Sequence, residues 1–271
     1  ITRHSSLEDI LDDPRVDFIS LCSPRRADQA QQAIRALRKG KHVLAEKPCA
    51  TTEEDLDAIL QAATESTATF HEMAGTAFDQ PYLAMRKIVL SGQIGEVVQV
   101  IAEKSYPYYE GRPQDEEIDG GLIAQNGVHA LRFIEHVACT PIVSITATET
   151  TLGNPVEGGG LRMASTLSAI LDNGGLGSIA CNYLNQPGTG VWGDESLKIL
   201  GTRGLVESRA GGKSTRLVVG DQDLGPLDTS DSPAHWFDTV IQSITQNTAM
   251  PLSLPEELSP TRWVLRAKAT V

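Results

Sequence analysis

An apolar run, His42-Val43-Leu44-Ala45, stops abruptly at Glu46-Lys47-Pro48. An acid, a base and a proline thus sit together where a buried strand ends, and a helix begins directly behind Thr51 or Thr52. A lysine at such an end can present its ammonium to a substrate oxygen, and partial burial lowers its pKa toward useful acid–base chemistry. Pro48 fixes the backbone and so can aim the lysine. A solvated Glu–Lys pair is the plainer alternative on position alone. Ser23-Pro24 closes an earlier apolar run, Asp17 to Cys22, in the same way. Ligands of open parallel sheets bind beyond the carboxyl ends of the strands, so both ends lie where a cofactor would. Farther on, Tyr106, Tyr108, Tyr109 and Arg112 share one loop, and aromatic faces with a guanidinium suit a sugar ring. A loop without a ligand role is equally open for any one of them.

Other chemistries lack partners. His71-Glu72 opens like HExxH, but Gly75 stands where the second histidine belongs, so no zinc site is expected. Ser23 has no evident histidine and acid to complete a hydrolase triad. Cys22, Cys49, Cys139 and Cys181 form no CxxC pair, which points to buried reduced thiols and a cytoplasmic protein. Trp192, Trp236 and Trp263 are read as packing residues.

Two textures must position these groups. Up to about residue 90, short apolar runs alternate with amphipathic stretches. Ser5-Ser6-Leu7-Glu8 has capping-box spacing before a short helix that Pro14 ends, and Asp17 to Cys22 reads as a fully buried strand. A helix over Asp28 to Lys39 stops at Gly40, Val43 to Ala45 forms the next strand, and Thr67 to His71 a third. Strands interleaved with helices give a parallel sheet. After Gly92, strands are expected at Val97–Ser105, Val143–Thr151, Met163–Leu171, Gly177–Leu184, Ser196–Leu200 and Leu205–Arg209. Asp172-Asn173-Gly174-Gly175 and Gly201-Thr202-Arg203-Gly204 supply hairpin turns, hence an open, mainly antiparallel sheet. A helix over Leu122 to Val137 interrupts it, and a C-terminal helix begins near Ala234. The fold class is therefore α/β followed by α+β, divided into residues 1–92 and 93–271.

The 271 residues are 40% hydrophobic and carry 23 basic against 35 acidic side chains, a formal charge of -12. An acidic chain without basic clusters binds nucleic acid poorly and is not drawn to anionic membranes. No apolar run is long enough to span a bilayer.

VDFISLCSP, a helix, GKHVLAEKP, a helix, then SGQIGEV and GGLIAQNGVH resemble, in order, the Gfo/Idh/MocA family of nicotinamide-dependent oxidoreductases. The GTRG turn and the late helix agree with it. The resemblance implies the C-terminal half of a Rossmann domain that binds NAD or NADP, then a substrate-binding and oligomerisation domain. It implies that Lys47 lies beside the nicotinamide, that Glu46 and Pro48 shape that edge, and that Ser23 and Pro24 line the cofactor groove. It also implies a cis Lys47–Pro48 bond, substrate contacts from Tyr108 and Arg112, and His129 as the active-site histidine. The activity implied is hydride transfer at a hydroxyl or carbonyl carbon of a sugar, polyol or related small molecule. A nicotinamide-dependent glycoside hydrolase and a non-catalytic sugar-sensing regulator on the same scaffold are the rivals.

Departures from the family pattern refine this picture. No GxGxxG occurs, so the chain is expected to be a fragment of a longer protein whose phosphate loop precedes residue 1. Gln125, His129 and Arg132 can project from one helix face, with Gln125 and Arg132 orienting substrate. The family has an acid at the first of these positions, and often at the last; Gln125 and Arg132 would leave His129 a neutral hydrogen-bonding partner and shift acid–base work to Lys47. Ala77-Phe78 replaces an Arg-Phe pair, and Asp28 a histidine. The few helices can cover one face of the second sheet only, so a homodimer or homotetramer through its other, apolar face is expected.

Overall fold

A computed structural model describes residues 3–73 and 75–271. Its elements are, in chain order, α1 (Leu7–Leu11), β1 (Phe18–Leu21), α2 (Arg26–Arg38), β2 (His42–Ala45), α3 (Glu53–Glu65), β3 (Phe70–Glu72), α4 (Tyr82–Leu90), β4 (Val97–Ser105) and α5 (Glu116–Asp119). A continuous helical segment follows, in which π-helical Ile123–Gly127 and Phe133–Val137 flank α6 (Val128–Arg132). Then come β5 (Ile142–Thr150), β6 (Ala164–Leu171), β7 (Leu176–Asn182), β8 (Asp194–Gly201), β9 (Gly204–Arg209), β10 (Ser214–Val219), β11 (Gln222–Gly225), α7 (Trp236–Gln246) and α8 (Leu254–Lys268).

The parallel sheet has the order β1-β2-β3, with Phe18 opposite His42 and Val43 opposite Phe70. Its crossovers form where the sequence predicts. Thr52 caps α3 by accepting from the Asp55 amide, and Gly40 takes φ +70° behind α2, a left-handed conformation that side chains resist. Ala30, Ala33, Ile34, Leu37, Leu56 and Ile59 face inward as their spacing requires. The β1 strand is not fully buried as expected: Ile19 and Leu21 are buried, Ser20 is exposed, and the pattern alternates. The Lys47–Pro48 peptide is cis.

The second sheet has the order β11-β10-β9-β8-β4-β7-β6-β5. It is antiparallel except between β4 and β7, which run parallel with Gln99 opposite Leu176 and Ser105 opposite Asn182. Both predicted turns join neighbours, β6 to β7 and β8 to β9. Inward residues such as Val100, Ala102, Leu167, Ala169, Ile179 and Ile199 pack on Leu122, Val128, Leu131 and Ile134 of the long helical segment. Helix α8 closes the gap between the two sheets, touching α3 and β3 on one side and α6 and β5 on the other. Among the described residues no helix is long and apolar enough to cross a membrane. All four cysteines are free, but Cys22 is exposed and Cys139 half-buried, so only Cys49 and Cys181 are the buried thiols expected.

Candidate active site

The carboxyl ends of β1 and β2 meet the start of the long helical segment, and Lys47 spans the junction. Its Nζ donates to the carbonyl of Gln125 at 2.9 Å and to Gln125 Oε1 at 2.7 Å. The Gln125 amide in turn donates to the Asp119 carbonyl, which orients its oxygen toward the ammonium. Lys47 is half-buried, and burial lowers its pKa from 10.5 to about 8. Glu46 pulls the value up, while Arg132, Arg26 and Lys104 add to the lowering. A lysine so placed can exchange a proton near neutrality.

The strand ends are held by Gln29 of α2, a residue the sequence analysis did not single out. Its Oε1 accepts from the Ser23 amide at 3.1 Å, and its Nε2 donates to the carbonyls of Glu46 and Pro48. Arg26 adds a bond to the Ser23 carbonyl. Ser23 and Pro48 are buried and shape this edge from within, whereas Pro24 is exposed along it and Glu46 half-exposed. A glutamine at a core-facing position of an otherwise alanine-rich helix was the available signal for Gln29, since a buried amide must find partners.

His129 lies on α6 with both ring nitrogens buried and unpartnered. Burial, then Lys47, Arg132 and Lys104, push its pKa well below 6.5, so the imidazole is neutral. The Tyr106 ring meets it edge-on, with centroids 6.4 Å apart. Lys104, missed by the sequence reading, sits beneath Tyr106 with Nζ 4.5 Å from the ring centre and pairs with Glu195 at 2.5 Å. Its signal was the alternation Val100, Ala102, Lys104, which places a cation on the core face of β4. Arg112 lies 3.7 Å from the Tyr183 ring centre and 4.8 Å from that of Tyr109, and it donates to the Pro107 carbonyl. The Tyr183 hydroxyl is buried without a partner. Trp192 is 61% exposed and leans on Tyr106 and Tyr109, so it borders the site instead of packing in the core; Trp236 and Trp263 are buried.

Two residues are not where helical spacing put them. Arg132 is wholly buried, ion-paired with Glu72 and bonded to the Met73 carbonyl at 3.1 Å, so it faces the core and not a substrate. The guanidinium goes inward because a buried carboxylate awaits it there. Gln125 turns to Lys47 and Asp119, so it positions the lysine and does not join Arg132 on one face with His129. Tyr108 is half-buried against the large core. Lys47, Gln125, His129, Tyr106 and Arg112 are the residues brought together.

Comparisons with known proteins agree with this fold. Residues 1–73 match the model described as the oxidoreductase family, NAD-binding Rossmann fold, and residues 82–207 match the GFO/IDH/MocA C-terminal domain. The chain belongs to the Gfo/Idh/MocA family. Family membership makes it an NAD(P)-dependent oxidoreductase, a Rossmann-like unit followed by a mainly antiparallel sheet. A 1,5-anhydro-D-fructose reductase of Ensifer adhaerens is 28% identical over 250 residues, 88% of this chain and 71% of that protein. Inositol 2-dehydrogenase 2 of Saccharopolyspora erythraea is 30% identical over 148 residues, 53% of this chain and 41% of that protein. An oxidoreductase structure from Thermotoga maritima superposes with a TM-score of 0.87 at 25% identity, covering 98% of this chain and 80% of that one. An aldose-aldose oxidoreductase of Caulobacter crescentus gives 0.83 at 19% identity, covering 97% and 79%.

The site fits the nicotinamide end of such a cofactor. The unpartnered nitrogens of His129 and hydroxyl of Tyr183 are buried polar groups poised for a ligand. Pro24, Glu46 and Lys47, shaped from behind by Ser23 and Pro48, are the residues that would hold it.

Proposed function

We propose that the whole protein transfers a hydride between NAD or NADP and a hydroxyl or carbonyl carbon of a sugar, polyol or related compound. The observation that carries this is the Lys47 ammonium, lowered to about 8 and held by Gln125 at the carboxyl edge of the parallel sheet. The relatives named above act on an anhydro-sugar and on inositol, and a levoglucosan dehydrogenase of the same fold has been solved with NADH and L-sorbose.

Bound NAD(P) supplies the hydride acceptor or donor. In the oxidative direction neutral Lys47 takes the substrate hydroxyl proton as the C–H bond gives up its hydride; in reduction the lysine ammonium returns it. His129, neutral, shares a hydrogen bond with the same oxygen. Gln125 positions Lys47 by accepting from it. Tyr106 and Arg112 present a ring-stacking, hydrogen-bonding wall for substrate, and Tyr108 is a further proposed contact from the same loop. The proposed substrate-binding unit spans 93–271 and the cofactor unit 1–92, although α8 packs on both. The open face of the large sheet carries Ile101, Ser168, Ile170, Leu176, Ser178 and Ala180, and a homodimer or homotetramer would cover it. Four free thiols accord with a cytoplasmic setting.

The test is nicotinamide absorbance during incubation of the whole protein with NAD or NADP and a panel of free sugars and polyols. Net reduction or oxidation of nicotinamide is expected. Glycoside cleavage without net nicotinamide change would move the assignment to the hydrolase rival, and tight sugar binding without any turnover to the sensor.

A further inference from the structure

Behind the site lies a buried polar cluster that hydride transfer does not use. Glu72, at the end of β3, is 0% exposed. Its Oε1 accepts from the Cys49 amide at 2.8 Å, two residues past Lys47. Its Oε2 pairs with Arg132, three residues past His129. The Thr261 hydroxyl of α8 lies 2.9 Å from both oxygens. Each of these partners is itself buried at 0% exposure. Around them, Glu257 accepts from the Glu72 amide at 2.6 Å and contacts His71 Nδ1 at 2.9 Å, and the Trp236 indole donates to the Glu72 carbonyl at 2.8 Å.

One carboxylate therefore joins three separate pieces of chain: the turn after β2, the helical segment carrying His129, and α8. A valine-like residue at a β3 end would pack there without such ties, so an acid at this depth is costly unless its charge is matched. Arg132 matches it. The same guanidinium is one of the cations that act on Lys47 and His129, and Glu72 is the carboxylate paired with it. The other groups facing Lys47 are Glu46, Arg26, Lys104, Asp119 and His129; those facing Glu72 beyond Arg132 are Glu257, His71 and Cys49.

We propose that Glu72 is a positioning residue, whose carboxylate ties the turn carrying Lys47 to the helix carrying His129 and neutralises Arg132 beside them. This rests on Lys47 and His129 being the reacting pair, as proposed above, but its consequences are read on Lys47 directly and need no substrate.

The experiment is an NMR titration of the whole protein with isotope-labelled lysine side chains, Lys47 being assigned by Lys47→Arg. Wild type is expected to titrate near 8. Glu72→Gln keeps an acceptor for Cys49 but leaves Arg132 unmatched, and should lower the Lys47 midpoint by about one unit, the low end of a neighbouring-charge effect. Glu72→Gln with Arg132→Met removes both charges and should return the midpoint to within a few tenths of wild type. Glu72→Ala with Arg132→Met also removes the acceptor for Cys49, and should release Lys47 toward its ordinary 10.5. An unchanged midpoint in Glu72→Gln, or an equal fall in the charge-free double variant, overturns the electrostatic role. If Glu72→Gln fails to fold, the two double variants decide: identical Lys47 midpoints overturn the tie. Absence of sugar turnover would leave all these titrations readable, so failure of the functional assignment and failure of this one are separate results.

Discussion

A lysine ammonium in water holds its proton far above neutrality, and Lys47 differs because it is tucked between Gln125 and the strand end. With a pKa of about 8, a useful minority of molecules carry the free base at physiological pH. Oxidation needs that base, so kcat/KM should climb about tenfold per pH unit below 8 and level off above it. A profile flat from pH 6 to 9 would contradict this. Gln125→Asp places a carboxylate against the ammonium, which stabilises the charged form and moves the same limb upward by about a unit or more. The helical spacing of Gln125 and His129 had suggested instead that such an aspartate would charge the histidine. The structure sends the side chain to Lys47, so the lysine limb is where the change should appear; an unmoved limb would show that the two do not meet in solution. The candidate residues came from the sequence in two ways: Lys47 from an acid-base-proline cluster at a strand end, and His129 from the resemblance to the family. The directions of Gln125 and Arg132 were not legible there, because they depend on Lys47, Glu72 and Met73, which lie far away along the chain.

At the level of elements, what sets the site is how β2, the helical segment and α8 are held together. Helix α8 is secured at its start by a full capping box, with the Ser253 side chain accepting from the Glu256 amide and Glu256 reaching back to the Ser253 backbone. Ser253→Ala should cost about 0.5–2 kcal/mol, read as a lower midpoint in urea at an unchanged slope. An unchanged midpoint would mean that tertiary contacts fix α8 without its cap. The capping spacing of Ser253 and Glu256 is visible in the sequence, as are Thr52 before α3 and the two glycine-rich hairpins. Strands β10 and β11 were not seen, because Ser214 to Val219 and Gln222 to Gly225 are short, and their polar and apolar residues do not alternate cleanly. Helix α4 was likewise passed over. The parallel pairing of β4 with β7 was also hidden: turn residues announce hairpins, whereas a long-range crossover has no local signature. The helix near residues 122–137 was predicted, but its two π-helical turns were not.

For the whole molecule, the large sheet spends its helices on one side, as their small number foretold, and leaves the other open. That open face is less apolar than expected: serines and threonines of β5, β6 and β7 alternate with Ile101, Ile170, Leu176 and Ala180. Such a mixed surface suits a two-fold contact with its own copy, with hydrogen bonds between the polar residues and an apolar centre. Sedimentation of the whole protein at micromolar concentration should give a dimer or tetramer that Ile101→Lys weakens; a monomer in both proteins would assign the face to solvent. The proposed activity centres on Lys47, and the most direct measurement compares Lys47→Ala with wild type, following turnover of the best sugar or polyol beside NADH binding. Loss of acid–base catalysis predicts a fall of about 10²–10⁴-fold in kcat with cofactor affinity nearly unchanged. A fall of less than about threefold, with NADH still bound, would contradict the assignment of Lys47 as the proton-transferring residue.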